Sequence, residues 1–317
     1  MRQTGGADVL REESMALGEP RSGTVRVRVA AAGVNFIDVY FRTGLYPAPI
    51  PFSVGLEGAG TIDAVGPDVR ELAVGDHVAW ASVPGSYADT VIAPVDRLVR
   101  LPAGVALDVA AASMLQGMTA HYLVHGTRTT KPGDVALVHA AAGGVGLLLV
   151  QTLKTAGARV IGTCSTAEKE ALARDAGADD VIRYDTTDFA DAARALTGGR
   201  GVDVVYDAVG QATFEGSLRS LRPRGLLALF GQASGPVPPF ELRRLNDLGS
   251  LFITRPSLMH YTQDRAELEL RADAVLGAVA SGRLRVRVGA RFPLSDAAAA
   301  HRALEGRETT GKVLLIP

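Results

Sequence analysis

The sequence predicts an α/β protein of two domains, one built on a doubly wound sheet of six parallel strands and the other mostly β. Its 317 residues exceed a typical domain of roughly 150. From about Val109 to Leu251, short apolar runs alternate with amphipathic helical stretches, which is typical of βαβ units. From Thr24 to about Leu101, short β-rich runs are separated by turn residues. This first half is expected to form a twisted, partly open barrel.

Composition and charge exclude several classes of protein. The content of 47% hydrophobic and 21% charged residues is ordinary for a globular chain. The formal net charge of −1 provides no general attraction to nucleic acid or anionic membranes, so neither is an expected partner. Cys164 is the only cysteine, which excludes a disulfide framework and a four-cysteine zinc site.

The location of the protein is expected to be cytoplasmic. Residues Met1 to Asp8 show no apolar segment behind a basic start, as a secretory signal would. The uncharged run Val135–Leu153 approaches the length of a membrane span, but glycines at 143, 144 and 146 interrupt its middle. We therefore interpret this run as a buried strand, a glycine turn and a buried helix.

Six apolar runs are the predicted strands of the parallel sheet. Six strands in this order form a complete dinucleotide-binding (Rossmann) sheet. Helices are predicted near Arg265–Ser281 and Ser295–Glu305, followed by a closing strand over Lys312–Ile316 that returns to the first domain. The predicted sheet strands are Val135–His139, Arg159–Thr163, Asp180–Arg183, Val202–Asp207, Leu226–Phe230 and Ser250–Thr254.

The turn after the first of these strands points to a dinucleotide. The motif G-x-G-x-x-G matches with Ala141 in place of the first glycine and with Gly143 and Gly146 as the second and third. A small residue allows the tight turn, and the missing side chains let the backbone approach a pyrophosphate at the helix N-terminus. Gly143, Gly144, Val145 and Gly146 are therefore predicted cofactor residues, although a merely tight strand-to-helix turn is the alternative.

The segment that follows the second strand favours NADP(H). About 20 residues beyond Ala141, an acidic residue would hold the ribose hydroxyl of NAD, but Ile161–Ser165 contains none. Ser165, Thr166 and Lys169 follow instead, and their hydroxyl and ammonium groups suit a 2′-phosphate. Alternatively, Ser165 or Thr166 caps the helix that begins near Ala167 and Lys169 is solvated; both roles are compatible.

Several further segments carry a family resemblance that covers nearly the whole chain. Together with the glycine turn, they resemble the quinone oxidoreductase (zeta-crystallin-like) branch of the medium-chain dehydrogenase/reductase family. The segments are Ala31–Pro47, Gly55-Leu56-Glu57, Gly75–Val78, Gln116–Ala120, Phe230-Gly231, Thr254–Leu258 and Gly311–Pro317.

This resemblance implies an oxidoreductase without zinc. Zinc alcohol dehydrogenases of the superfamily have Cys where Asn35 stands and Gly-His-Glu where Gly55-Leu56-Glu57 stands. Zinc needs three or four nitrogen, sulfur or carboxylate ligands, so no metal is expected. His121 and His125 form the only histidine pair at helical spacing, and a packed or solvated helix face is the expected role for them.

The resemblance implies a GroES-like catalytic domain of residues 1–118 and 258–317 and an NADP-binding Rossmann domain of residues 119–257. It also implies that Asn35, Tyr40, Tyr46 and Arg255 line the nicotinamide and substrate cleft. Asn35 is expected to donate to a quinone oxygen, Arg255 to stabilise negative charge, and Tyr46 or Tyr40 to position the ring or supply a proton. The structural alternatives are a turn cap for Asn35, a core position for Tyr40, a residue that merely precedes Pro47 for Tyr46, and a surface position for Arg255.

Further cofactor contacts follow from the resemblance alone. Arg307 is placed by counting from the C-terminal tail, and Lys312 is a rival for the same phosphate. The implied contacts are Phe36, Ile37, Asp38, Thr119, Tyr122, Tyr184, Val209, Phe230, Gly231, Ser234, Ser257 and Arg307.

The expected activity is reduction of quinones by NADPH, with enoyl reduction of α,β-unsaturated carbonyls or thioesters as the alternative. RNA-binding or structural roles, as in some zeta-crystallin relatives, are disfavoured because no basic and aromatic cluster is present. A homodimer joined through Ser250–Thr254 is also implied. The first strand usual in relatives is expected to be missing, since only four residues precede Gly5. Either the start codon was assigned too late or the barrel has an open edge.

Overall fold

The computed structural model describes residues 1–317 and divides them into two compact units. The first unit comprises Met1–Met118 and Thr262–Pro317, and the second comprises Thr119–Tyr261. Residues 258–261, which the sequence analysis assigned to the first domain, lie in the second unit. There the ring of Tyr261 stacks on Tyr122 with the centroids 4.4 Å apart.

The first unit is mostly β. Short 3-10 turns are formed by Ala7–Val9, Val95–Arg97 and Leu294–Asp296. Its strands and helices are β1 (Thr24–Val34), α1 (Phe36–Thr43), β2 (Glu57–Val65), β3 (His77–Trp80), β4 (Thr90–Pro94), β5 (Val99–Arg100), α2 (Leu107–Ala111), the start of α3 (Met114–Tyr122), α9 (Arg265–Ala280), β12 (Val288–Pro293), α10 (Ala297–Glu305) and β13 (Lys312–Ile316).

Strand β1 organises the sheet of the first unit. The seven strands follow the order β12-β13-β1-β2-β3-β5, with β4 paired to β1 as well. Alternate residues of β1, among them Val25, Val27 and Val29, are buried in the core, as the period of two in a half-buried strand requires. The chain then turns from β1 into α1 at Asn35.

Residues 1–23 contain no strand, and the sheet stays open because its terminal strands β12 and β5 do not pair. The segment is nevertheless tied to the unit. Met1 and Phe52 exchange two hydrogen bonds, from the amino group of Met1 at 2.7 Å and from the amide of Phe52 at 3.1 Å. The amide of Gly5 donates to the carbonyl of Arg42 at 3.0 Å.

The second unit is the predicted doubly wound sheet. Its strands follow the order β11-β10-β9-β6-β7-β8, and every pairing is parallel. After α3 come a π-helical turn (Leu123–Thr127), β6 (Val135–Val138), α4 (Gly144–Thr155), β7 (Arg159–Cys164), α5 (Ala167–Asp175), β8 (Asp180–Arg183), α6 (Phe189–Leu196), β9 (Val202–Asp207), α7 (Phe214–Ser220), β10 (Leu221–Leu229), α8 (Arg243–Asp247), β11 (Phe252–Thr254) and a 3-10 turn (Leu258–Tyr261).

Most strand ends agree with the predicted ones to within one residue, but two differ by more. Strand β10 begins at Leu221 rather than at 226, because Leu221 pairs with Val202 before the register shifts. Strand β11 begins at Phe252, since Ser250 has a positive φ of 57° and cannot continue a strand. The run Val135–Leu153 forms β6, the glycine turn and part of α4. None of the helices combines the length and apolar character needed to cross a membrane.

Candidate active site

The glycine turn joins β6 to α4. Ala140 takes the left-handed conformation, with φ of 51°, and its carbonyl accepts from the amide of Gly143 at 2.8 Å. The glycine motif predicts this tight turn at Ala141, and the left-handed residue lies one position earlier. A Cβ on Gly146 would collide with the carbonyl oxygen of Ala140. The turn therefore requires glycine at 146, and no side chain makes a capping hydrogen bond to the first N–H groups of α4.

The ends of β7 and β8 lie beside each other. Thr166 is the N-cap of α5, and its hydroxyl accepts from the amide of Lys169 at 3.2 Å. The amide of Tyr184 donates to the carbonyl of Cys164 at 3.1 Å, and the Tyr184 side chain is 41% exposed. The predicted group of Ser165, Thr166, Lys169 and Tyr184 is thus brought to one edge of the sheet.

The ends of β9 and β10 complete this edge. The hydroxyl of Ser234 donates to the carbonyl of Val209 at 2.8 Å, and the amide of Phe230 donates to the carbonyl of Asp207 at 2.9 Å. The guanidinium of Arg255 donates to the carbonyl of Leu229 at 3.0 Å. Val209, Phe230, Gly231, Ser234 and Arg255 therefore gather at the carboxyl ends of these strands.

A buried polar network behind this edge was missed by the sequence analysis. The carboxylate of Asp207 accepts from Ser217 at 2.8 Å and from the amides of Val209 and Gly210 at 2.8 and 3.1 Å. Since Ser217 donates to Asp207, it accepts from Nε2 of His139 at 3.0 Å, which leaves Nδ1 to accept from Thr163 at 2.9 Å.

The order of donors in this network rules out a Ser-His-Asp nucleophile. The Asp207 carboxylate accepts a hydrogen bond from Ser217 instead of from His139. All three side chains are buried. Burial lowers the pKa of His139, so the ring is neutral at pH 7. The network instead fixes the backbone of Val209 and Gly210 at the sheet edge.

This edge has the features of a dinucleotide site. The carboxyl ends of parallel strands and the start of α4 meet there, which is where doubly wound sheets bind such ligands. The glycines of the turn leave room for a pyrophosphate, so the residues fit the group that the sequence predicts. Thr119 and Tyr122 are buried at 6% and 1% exposure, and Ser257 is half-buried.

In the first unit, Asn35 belongs to a buried network with the side chains of Glu57, Lys312 and Gln116. Its Nδ2 donates to Oε2 of Glu57 at 2.9 Å and to the carbonyl of Gly33 at 3.2 Å. Its Oδ1 accepts from the ammonium of Lys312 at 2.8 Å, and Lys312 also pairs with Glu57. Both amide protons of Asn35 are committed within the protein, so the expected bond from Asn35 to a quinone oxygen is not available in this arrangement.

Lys312 does not have the role considered for it. It is 1% exposed and Glu57 is fully buried, so its ammonium neutralises a carboxylate and does not extend toward a phosphate. A second bond holds Glu57, because Oε1 accepts from the amide of Leu115 at 2.6 Å. Gly33 makes room for the pair, since a Cβ there would collide with Glu57 and lie 2.7 Å from Cε of Lys312.

The carboxyl group of Asp38 is buried below the first turn of α1. It accepts from the amide of Asn35 at 2.9 Å and from the hydroxyl of Tyr87 at 3.0 Å. Burial raises the pKa of Asp38 to about 7. His301 lies behind Tyr87. Burial and the neighbouring Arg42 lower the pKa of His301 to about 4.

Arg42 fixes the direction of this chain of hydrogen bonds. A guanidinium only donates, so Nδ1 of His301 accepts from Arg42 at 3.2 Å and Nε2 donates to Tyr87 at 3.1 Å. Arg42 is itself held by Glu305 through two bonds of 2.7 and 2.8 Å. The chain braces α1 against α10.

Aromatic rings cluster along and after α1. Tyr40 is 7% exposed and lies 5.2 Å from Tyr46 and 6.2 Å from Phe36 between ring centroids. Tyr46 and Ile37 are half-buried. Tyr40 thus occupies a core position, and the structure brings it together with Tyr46. Arg307 follows α10, exposed and with a φ of 58°.

Comparison with known proteins identifies the family of this chain. Residues 21–103 match the alcohol dehydrogenase GroES-like domain, and residues 144–268 match the zinc-binding dehydrogenase family. The quinone oxidoreductase of Pseudomonas aeruginosa is 45% identical over 99% of this chain and 97% of that protein. The chain belongs to the quinone oxidoreductase branch of the medium-chain dehydrogenase/reductase family.

Two further relatives span the whole chain. The 2-haloacrylate reductase of a Burkholderia species is 44% identical over 100% of this chain and 98% of that protein. The crystal structure of Escherichia coli quinone oxidoreductase complexed with NADPH is 42% identical, has a TM-score of 0.97, and covers 100% of this chain and 98% of that one. This member of the family is an oxidoreductase.

Zinc, which the description of one matched family implies, does not fit the residues present. Asn35 stands at the position of a zinc ligand in zinc alcohol dehydrogenases, and Glu57 belongs to the position of their Gly-His-Glu triplet. Both side chains are hydrogen-bonded to the Lys312 ammonium. No group of three His, Cys, Asp or Glu side chains anywhere in the chain could hold a metal ion. A lysine side chain therefore supplies positive charge beside Glu57, and no step of the reaction is assigned to a metal.

Proposed function

We propose that this protein is an NADPH-dependent quinone reductase, which transfers hydride to quinones or related activated electrophiles without a metal. The observation that carries the proposal is the full-length similarity to quinone oxidoreductases, at 43–45% identity in Escherichia coli and Pseudomonas aeruginosa. A quinone needs no Lewis acid, because aromatisation drives its reduction. The pairing of Glu57 with Lys312 agrees with a reaction that uses no metal ion.

NADPH is the proposed cofactor, and it would supply the hydride when bound. Gly143–Gly146 would hold the pyrophosphate against the start of α4, where the helix dipole favours an anion. Ser165, Thr166 and Lys169 would bind the 2′-phosphate, with Tyr184 beside the adenine ribose. Val209, Phe230, Gly231 and Ser234 would complete the cradle, and Phe36, Ile37, Asp38, Thr119, Tyr122, Ser257 and Arg307 remain proposed contacts.

Tyr40, Tyr46 and Arg255 are proposed to act on the substrate. Tyr46 would position the flat ring or supply a proton, and it rests against Tyr40. Arg255 would stabilise the negative charge that develops on the quinone oxygens. Asn35 is proposed as a positioning residue, since its carboxamide joins the Lys312 and Glu57 pair to the start of α1.

The deciding experiment is anaerobic oxidation of NADPH and of NADH, side by side, with a simple benzoquinone. We expect rapid turnover with NADPH and benzoquinone and much slower turnover with NADH. Protein that binds NADPH but does not reduce the quinone would contradict the proposal.

A second activity is favoured by the similarity to 2-haloacrylate reductase. Reduction of an electron-poor carbon–carbon double bond uses the same hydride, but it requires a proton donor more strictly. A crotonyl thioester and a 2-haloacrylate are therefore included as substrates. If Tyr46→Phe retains quinone turnover and loses turnover of these substrates, the protein is an enoyl-type reductase.

We also propose a homodimer joined through the edge strand β11, where Phe252 is 60% exposed. An unpaired strand edge with an exposed aromatic side chain is a ready site for pairing with a second copy. Light scattering that finds only monomer would contradict this. A cytoplasmic location is proposed as well, by similarity to the bacterial enzymes, and cell fractionation tests it.

A further inference from the structure

The side chain of Gln116 has a buried acceptor that the protein leaves unused. Gln116 begins the Gln116–Ala120 segment, has no role in the proposed function, and is 9% exposed. Its Oε1 is buried and has no hydrogen-bond partner in the protein. Buried side-chain acceptors are nearly always paired, and an unpaired one carries a free-energy cost. Such an atom next to a proposed active site points to a ligand that donates to it.

The orientation of the Gln116 carboxamide is fixed by its neighbours. The ammonium of Lys312 can only donate, so the atom of Asn35 that it contacts must be Oδ1. Nε2 of Gln116 donates to this same oxygen across 3.4 Å. Turning the Gln116 carboxamide by half a turn would bring two carbonyl oxygens together. Oε1 of Gln116 therefore points away from the network as an acceptor.

We propose that Gln116 is a ligand-binding residue, whose Oε1 accepts a hydrogen bond from an N–H or O–H group on a flat ring. The chemical identity of the ring rests on the proposed function. A quinone carbonyl cannot fill this role because it only accepts. Two donors remain, namely the carboxamide N–H of the reduced nicotinamide and the hydroxyl of the hydroquinone product.

Equilibrium binding to Gln116→Met tests the proposal without turnover. Methionine has a similar volume and lacks both polar atoms. The first arm compares the Kd of NADPH with that of its reduced 3-acetylpyridine analogue, which has a methyl group in place of the amide nitrogen. The second arm compares the Kd of a hydroquinone with that of its dimethyl ether, which has no hydroxyl donor.

We expect the wild type to prefer the donor-bearing ligand by about 3- to 10-fold in one arm, and Gln116→Met to lose that preference. The arm in which this happens identifies the source of the donor. Gln116→Glu keeps an acceptor oxygen and, in its protonated form, donates to Oδ1 of Asn35 from its other oxygen. It should therefore retain the preference, which also covers the case in which Gln116→Met does not fold. Ser113→Ala is the matched control, since its hydroxyl bonds only to the carbonyl of Ala110.

Equal preference ratios in the wild type and in Gln116→Met, in both arms, would overturn the role of Gln116. Wild-type protein that binds NADPH but reduces no quinone would overturn the proposed function instead. The ratios of the Kd values in the two arms could still be measured. The two failures are therefore distinguishable.

Discussion

Replacing Lys312 by methionine should destabilise the first unit strongly. The substitution keeps the length of the side chain but removes an ammonium that is 1% exposed. Glu57, fully buried, would then keep only the amide of Leu115 and the carboxamide of Asn35 as partners. A carboxylate in such a position has lost the charge that compensated for its removal from water.

The size of the effect follows from the burial of the pair. Removing one partner of a buried ion pair typically costs about 3–5 kcal/mol, because the other charge remains uncompensated. Removing both charges is often close to neutral. The double variant Glu57→Gln with Lys312→Met should therefore lie within about 1–2 kcal/mol of the wild type. This difference between single and double variants isolates the charge from the loss of packing.

The single tryptophan makes the measurement selective. Trp80 is fully buried in the first unit, and its indole N–H donates to Ser86 at 2.8 Å. Urea unfolding followed by tryptophan fluorescence therefore reports the unit that contains Lys312. A loss below about 1 kcal/mol in Lys312→Met, or a double variant as unstable as the single one, would refute the reasoning.

Three other predictions concern the second unit. Lys169→Ala should raise the Kd of NADPH about 10-fold or more and leave the Kd of NADH nearly unchanged, because the ammonium is proposed to meet the 2′-phosphate; fluorescence titration measures both. Gly146→Ala should lower the free energy of unfolding by about 1–3 kcal/mol and weaken NADPH binding, since its Cβ collides with the Ala140 carbonyl; calorimetry and titration check this. Asp203→Asn should lower the free energy of unfolding by about 2 kcal/mol at neutral pH. Burial alone would raise the pKa of Asp203, but hydrogen bonds from Arg200 and Arg222 lower it to about 2. The stabilisation by this carboxylate is therefore complete above the ordinary pKa of 3.8 and disappears as the pH falls to about 2. Thermal unfolding of both proteins at a series of pH values measures it.

Each of these has a control or a contrary result. An equal loss of NADPH and NADH affinity in Lys169→Ala would show that the lysine does not meet the 2′-phosphate. Gly143→Ala is the control for Gly146→Ala, because its Cβ would lie 3.1 Å from the same carbonyl and should disturb stability less. A stability difference between Asp203→Asn and the wild type that persists unchanged at about pH 2 would exclude the ion pairs as its cause.

The sequence predicted those features whose signal is local. The buried strands β6, β7, β8 and β9 are continuous apolar runs, so their positions were found within a residue or so. The start of β10 was missed because Arg222, Pro223 and Arg224 interrupt the apolar pattern where the register shifts. A cap at Ser165 or Thr166 could be considered because the helix follows directly, and the structure shows that Thr166 is the cap.

The site features that escaped prediction depend on contacts between distant residues. Lys312 lies 255 positions from Glu57, and Gln116 lies 81 positions from Asn35. No spacing or periodicity links such residues, so Lys312 could be considered for a phosphate when it is in fact buried. Asn35 was selected for a bond to a quinone oxygen, and only the fold shows that its amide protons are bonded to Glu57 and to the carbonyl of Gly33.

The order of strands in the first unit determines when that unit can be completed during synthesis. Strand β13 pairs with β1 and carries Lys312, but the whole second unit separates the two strands in the chain. At about 5–20 residues per second, a ribosome needs roughly 10 to 50 seconds to travel from Glu57 to Lys312. Throughout that interval the glutamate has no ammonium partner, and β1 can pair with β2 and β4 but not yet with β13. By the end of the interval the whole Rossmann unit has been synthesised. The newborn protein is therefore expected to pass through a stage in which its sheet of parallel strands is folded and its β-rich half is still assembling.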